Sequence, residues 1–209
     1  LNPAYYQDYA TYFVKWVQAF NAEGIDIYAV TPQNEPLNRG NSASLYMSWE
    51  EQRDFVKTAL GPKFKTAGLA TKIYAYDHNY DYSDIATEKN YPGKMYEDAA
   101  ASQYLAGAAY HNYGGNREEL LNIHKAYPEK ELLFTETSIG TWNSGRDLSK
   151  RLLEDMKEVA LGTINNWCRG VIVWNLMLDN DRAPNREGGC QTCYGAVDIS
   201  NSDYKTIIR

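Results

Sequence analysis

The chain has 209 residues, 44% hydrophobic and 23% charged, the composition of an ordinary globular protein long enough for one domain with a real core. A net charge of −6, with Lys and Arg dispersed, argues against nucleic acid or an anionic membrane as the main partner. No apolar run reaches the length of a membrane span and no signal peptide opens the chain, which starts at Leu1 rather than Met, so a processed or truncated product is expected.

Asn2-Pro3 reads as a helix start, and Tyr9, Phe13, Val17 and Phe20 recur at helical spacing until Gly24. Ile25–Val30 is a short apolar run suited to a buried strand, stopped at Thr31-Pro32 because proline cannot donate to a sheet ladder. The corner that follows puts Asn34 and Glu35 just past the strand's C-terminal end, and a polar loop covers 37–47. Ser48 with Glu51 has the form of a capping box opening a helix that kinks or ends near Gly61-Pro62. A strand at 72–76 ends on Asp77-His78, and a Tyr-rich loop, 79–93, leads to a helix at 95–104. The next strand, 105–110, ends on His111-Asn112-Tyr113, and a helix over 118–126 precedes a strand, 132–135, that delivers Glu136. Asp147 or Ser149 caps a long helix through Ile164, the last strand is 170–174, GVIVW, and 175–189 is again a polar loop. Strands beginning near 25, 72, 105, 131 and 170, each separated by a helix, spell repeated βα and a parallel sheet.

Asn34, Glu35, Asp77, His111, Tyr113, Glu136 and Trp174 all fall where a strand gives way to a loop. One such residue is unremarkable, because strand ends are wet. Every strand delivering polar or aromatic groups to one edge is a constellation, and it marks an active site at the C-terminal face of a barrel. Two carboxylates in such a site suit glycoside hydrolysis, one as a protonated acid and one as an ionised group facing an oxocarbenium-like centre. Like-charge repulsion can hold the first protonated, and Asn34 beside Glu35 can bind a sugar hydroxyl.

VTPQNEP, LLFTETS, YHNY and VWNL, in that order along the chain, resemble glycoside hydrolase family 30, a group of retaining β-glycosidases with (β/α)8 TIM barrels. The resemblance implies an α/β chain running from helix 3 through strand 8 of such a barrel, with all strands parallel. The barrel part is residues 1–187, and 188–209 is a tail with a CxxC loop and the start of a β side domain. Five strands cannot close an eight-stranded barrel, so the remaining strands are expected from elsewhere. The resemblance assigns Glu35 as acid/base and Glu136 as nucleophile, with Asn34 on the sugar's 2-hydroxyl. It further gives Asp77, His111, Tyr113 and Trp174 as substrate-binding residues, with Tyr113 bonded to the nucleophile and Trp174 as a sugar platform. Asn185 corresponds loosely to a loop asparagine near the substrate. Retention then requires Glu136 ionised and Glu35 raised in pKa by that charge. The substrate is a carbohydrate, preferably a β-glucoside of the glucosylceramide or β-1,6-glucan type. A xylosidase or xylanase is the alternative within the family, and a non-catalytic carbohydrate-binding barrel the alternative outside it. No cofactor or metal is expected.

Two other readings are open. Asp77, His78, His111 and Glu136 could ligate a metal, although their spacing is looser than that of HExxH-type sites. Cys190 and Cys193 form a single CxxC in a Gly-rich stretch, GGCQTCYG, which is a weak zinc signal; a structural loop whose thiols pair in an oxidising compartment is favoured, with Cys168 a small buried residue. The absence of an Asn-x-Ser/Thr sequon leans toward a bacterial protein that is secreted, periplasmic or displayed at the cell surface.

Overall fold

The computed structural model describes residues 1–40, 45–200, 202–203 and 205–208, so the middle of the expected 37–47 loop, residues 41–44, lies outside the described residues. The strands are β1 (Ala29–Val30), β2 (Lys72–Asn79), β3 (Leu105–His111), β4 (Glu131–Glu136), β5 (Ile139–Gly140), β6 (Cys168–Val171), β7 (Met177–Asp179), β8 (Cys193–Tyr194), β9 (Val197–Ile199) and β10 (Thr206–Ile208). The main sheet runs β1-β2-β3-β4-β6, and every pairing in it is parallel. This is the consecutive-stave order of a partial (β/α)8 barrel. No helix among the described residues is long and apolar enough to cross a membrane.

The helices are α1 (Tyr6–Ala22), α2 (Trp49–Phe55), α3 (Gly61–Thr66), α4 (Tyr91–Glu97), α5 (Ala99–Ser102), α6 (Glu118–Ala126), α7 (Leu148–Glu154) and α8 (Leu161–Ile164). Ser48 and Glu51 form the full reciprocal capping box on α2, and Asp147 rather than Ser149 caps α7 through the amide of Lys150. The helix does not end at Gly61-Pro62. A π-helical turn over Val56–Leu60 widens the ladder just before the proline, whose missing N–H would break an ordinary α register, and α3 continues beyond it. The expected 95–104 helix is instead α4 followed by α5, broken at Asp98, whose carboxylate caps the amides of Ala100 and Ala101.

The core lies between the sheet and α1–α4 and α6. Phe55, Tyr76, Tyr91, Tyr110, Leu120 and Phe134 are fully buried there. Two of the buried tyrosine hydroxyls find strong partners: Tyr91 donates to the carbonyl of Met47 at 3.0 Å, and Tyr82 lies 2.5 Å from a carboxylate oxygen of Glu119. Gly107 of β3 is dictated by its neighbour, because a Cβ there would fall 1.9 Å from the carbonyl oxygen of Glu131.

Both edges of the sheet differ from expectation. Of the Ile25–Val30 run only β1 is strand, since this edge has β2 alone as partner and Ile25 stays half exposed. At the other edge the ladder is β6 rather than 170–174. Ile172 and Trp174 still donate backbone bonds to the carbonyls of Phe134 and Thr137, while Ile172 and Val173 face outward. The 175–189 stretch is not all loop, because β7 sits within it and joins β9 and β10 in a small sheet. Residues 194–199 take part in two pairings: β8 runs antiparallel to β5, while β9 runs parallel to β7 and antiparallel to β10.

Candidate active site

Each β-strand of the main sheet ends on the same rim, and irregularities at three strand ends aim the polar side chains. In β2 the register slips between Tyr76 and His78, where Tyr76 and Asp77 both have φ of 75°. Left-handed backbone at two non-glycine residues is strained, and such bulges re-aim side chains at functional rims. Here the bulge lets successive residues, Asp77 and His78, both point into the site. A second slip after Tyr110 brings His111 directly opposite Glu136. Glu35 itself adopts φ 46°, its amide bonded to the carbonyl of Asp77 at 2.9 Å.

These elements assemble one chain of groups, buried at Asp77, His111 and Glu35 and opening outward at Glu136 and Tyr113. His111 Nε2 lies 3.0 Å from Asp77 Oδ1 and its Nδ1 lies 3.2 Å from Glu35 Oε1. Thr31 and Thr135 each donate a hydroxyl to Asp77 at 2.6 Å, and Asn38 donates its amide to Glu35 Oε2 at 2.8 Å. The Tyr113 hydroxyl is 3.0 Å from both Glu136 Oε1 and Ser138 Oγ. Its single proton is best used on the carboxylate, where the bond is charge-assisted. One oxygen each of Glu35 and Glu136 and one ring nitrogen of His111 lie within 4.8 Å of one another. A cavity of about 410 Å³ opens on this group, lined among others by Asn34, Glu35, Tyr113, Glu136 and Trp174.

The electrostatics follow from His111. Burial disfavours its cation, but hydrogen bonds to Asp77 and Glu35 win and raise it to about 9. His111 is therefore an imidazolium at neutral pH, donating from both nitrogens. Burial pushes Glu35 and Asp77 up, yet each ends below its ordinary value. The bonds from His111 and Asn38 decide this for Glu35, and those from His111, Thr135 and Thr31 for Asp77. Glu136 is raised, by burial and by the charge of Glu35, against the pull of His111 and Tyr113. This reverses the order that the family resemblance implies, and the cause is a cation that hydrogen-bonds one of them and only faces the other. His78, 4.0 Å from Glu35, is pushed down by burial to about 4 and is neutral.

A pH dependence of stability follows. A histidine raised from 6.5 to about 9 contributes stability that is complete below about pH 6.5 and lost as pH rises through about 9. The depressed Glu35 and Asp77 contribute stability present above their ordinary values and lost as pH falls through the folded ones. In the complete polypeptide that carries these residues, Tm should decline between pH 6.5 and 9.5, and His111→Gln should flatten that slope. An unchanged slope in the variant would show that His111 does not carry the charge.

The geometry changes the residues of the metal reading. Glu35, His111 and Glu136 are the group among the described residues close enough to share an ion, a different set from the one the sequence suggested. Both ring nitrogens of His111 are already engaged, by Asp77 and Glu35, so an ion there would have to displace one of these bonds. Cys190 and Cys193 are joined in a disulfide, so neither is a thiolate ligand, and Cys168 is free and buried, its thiol pushed up by burial to about 12.

The structure brings together Asn34, Glu35, Asp77, His111, Tyr113, Glu136 and Trp174. Trp174 is not a core residue: it is 36% exposed and lines the cavity. Asn185 is not brought in; it is absent from the cavity wall and donates to the carbonyl of Arg182 within its own loop. Sequence reasoning missed Asn38, Asn79, Ser138 and Trp142, which also line the cavity. Only Asn38 carried a local signal, being one turn past Glu35 in the same corner.

A partial barrel whose C-terminal rim pairs two carboxylates within reach of each other has the architecture of the barrel glycosidases. A model of the glycosyl hydrolase family 30 TIM-barrel domain matches residues 2–201, and the chain belongs to that family. It is 37% identical over 203 residues to the endo-1,6-beta-D-glucanase BGN16.3 of Trichoderma harzianum, covering 94% of this chain and 38% of that protein. It is 28% identical over 201 residues to putative glucosylceramidase 4 of Caenorhabditis elegans, covering 88% and 37%. The solved structure of the endo-beta1,6-glucanase BT3312 superposes with a TM-score of 0.97 at 88% identity, over all of this chain and 46% of that one. The chain thus spans less than half the length of each of these three relatives.

Proposed function

We propose that the polypeptide carrying this chain hydrolyses β-1,6-linked glucan with retention of configuration, Glu35 acting as acid/base and Glu136 as nucleophile. The observation that carries the reading is the approach of Glu35, Glu136 and His111 within 4.8 Å. Retention needs carboxyl groups about 5–5.5 Å apart, because the nucleophile must touch the sugar, whereas inversion needs roughly 6.5–9.5 Å to seat a water. The linkage is supported by the greater likeness to the 1,6-glucanase than to the glucosylceramidase relative.

In the first step a Glu136 oxygen bonds to the anomeric carbon, the glycosidic C–O bond breaks, and Glu35 gives its proton to the leaving oxygen. In the second, water attacks the anomeric carbon, Glu35 takes a proton from it, and the ester to Glu136 breaks. The charge order of the free site has to be reconciled with this. Glu136 is the carboxylate that holds a proton to higher pH, while the first step needs that proton on Glu35. Both arrangements contain the same number of protons, so the two carboxylates titrate as a pair. A bound sugar places developing positive charge beside Glu136 and a basic oxygen beside Glu35, which favours the second arrangement. Asn34, Tyr113 and Trp174 hold the sugar, the first two by hydrogen bonds and the third by its ring face.

The Cys190–Cys193 disulfide supports an oxidising compartment outside the cytoplasm. Residues from 188 onward are read as the entry to a β side domain, with β9 and β10 supporting that reading. A panel of β-1,6-glucan, β-1,3-glucan, xylan and glucosylceramide given to the complete polypeptide tests the substrate. Oligosaccharides released from β-1,6-glucan alone are expected; release from xylan or glucosylceramide instead would overturn the assignment.

A further inference from the structure

The CxxC turn and the stretch after Glu136, residues 137–145, have no part in the chemistry above, yet both reach the same cavity. Trp142, Gly189, Cys190 and Cys193 line it together with Glu35, Glu136 and Trp174. The two stretches form one unit. Gly140 pairs with Cys193, Ile139 with Tyr194, and the amide of Thr141 donates to the carbonyl of Thr192 at 3.0 Å. The Trp142 ring packs on Gly140, where a Cβ would fall 1.7 Å from ring atom Cζ3. The chain then turns back through a bond from the amide of Gly145 to the carbonyl of Trp142 at 2.8 Å. Arg182, stacked over Tyr194 at 4.0 Å, donates to the carbonyl of Cys193 and anchors the far side.

We infer that Trp142 is a second sugar-binding platform, seated on Gly140 and held by the disulfide-closed turn at Cys190–Cys193, that takes a glucose unit beyond the one at the cleavage point. The inference rests on the reading of the cavity as a glucan site. An indole face matches the C–H face of a pyranose in the way an aromatic ring matches any flat apolar surface, and a half-exposed indole loses little by being covered. Trp142 is 36% exposed, as is Trp174, so each retains a free face beside the glutamates. Two such platforms in one cavity suit a chain of sugars rather than a single residue. The disulfide acts as a brace: the strand that seats the tryptophan is paired to the bridged cysteine itself.

The test is binding by calorimetry to the complete polypeptide carrying Glu136→Gln, with a β-1,6-linked glucotetraose and with glucose as ligands. Adding Trp142→Ala should weaken the tetraose by about tenfold or more while leaving glucose within about twofold, and Trp142→Phe should restore most of the loss. Cys190→Ser with Cys193→Ser should weaken the tetraose in the same selective way but less. Unchanged tetraose affinity in Trp142→Ala would overturn the inference, and so would an equal loss for both ligands, which is the mark of a collapsed site. Glucan hydrolysis by the unmutated protein reports separately on the catalytic reading, so the two can fail independently.

Discussion

Replacing Glu136 with alanine should lower turnover of an aryl β-glucoside by roughly 10⁴-fold or more, the scale on which loss of a covalent nucleophile is felt. Folding should be little affected, because Glu136 is raised in pKa by burial and its carboxylate is not what stabilises the rim. The variant leaves a small void facing the anomeric carbon. Azide, a compact anion, can occupy that void and attack directly, with Glu35 still able to assist the leaving group. A single displacement inverts, so the product should be the α-glucosyl azide. Recovery of the β-azide would exchange the roles of the two glutamates.

Glu35→Ala should behave in the opposite way and so tests the assignment independently. General acid catalysis contributes typically about 10²–10⁴-fold, and only where the leaving group needs a proton. Dinitrophenyl glucosides should therefore still form the glycosyl enzyme at near-normal rate, while cleavage of β-1,6-glucan, the proposed substrate, should fall by the full factor. The second step loses its base, so the intermediate accumulates and the apparent KM falls with kcat. Azide should speed that step and give the β-azide by double displacement. The alkaline limb of the pH profile should vanish with Glu35. Its persistence would place that ionisation on His111, which titrates near 9.

Most of the barrel could be read from the sequence because the information is local. Apolar runs, caps such as Ser48 and Asp147, and the regular βα alternation each declare themselves within a few residues. The site residues were legible for a related reason: a parallel sheet delivers every strand's end to one rim, so Glu35, His111 and Glu136 needed no distance information to be grouped. What was hidden is what depends on long-range partners. Pairing of β8 with β5 joins residues some fifty positions apart, through stretches that look like loop. The bulge at Tyr76–Asp77 has no glycine to announce it, and without it Asp77 and His78 would point to opposite faces. The pKa order could not be foreseen, since it depends on His111 touching Glu35 at 3.2 Å rather than on the charge of the glutamates. Trp142 stayed invisible because its seat is the bare face of a glycine, and its brace is a disulfide in another segment.

The central claim, that Glu136 attacks the sugar directly, is tested most directly by proton NMR of the first glucose-terminated product released from a β-1,6-gluco-oligosaccharide. The complete polypeptide should release the β-anomer first, with α-anomer appearing only at the rate of spontaneous mutarotation. Initial release of the α-anomer would mean that a water sits where Glu136 is placed as nucleophile, and would contradict the account.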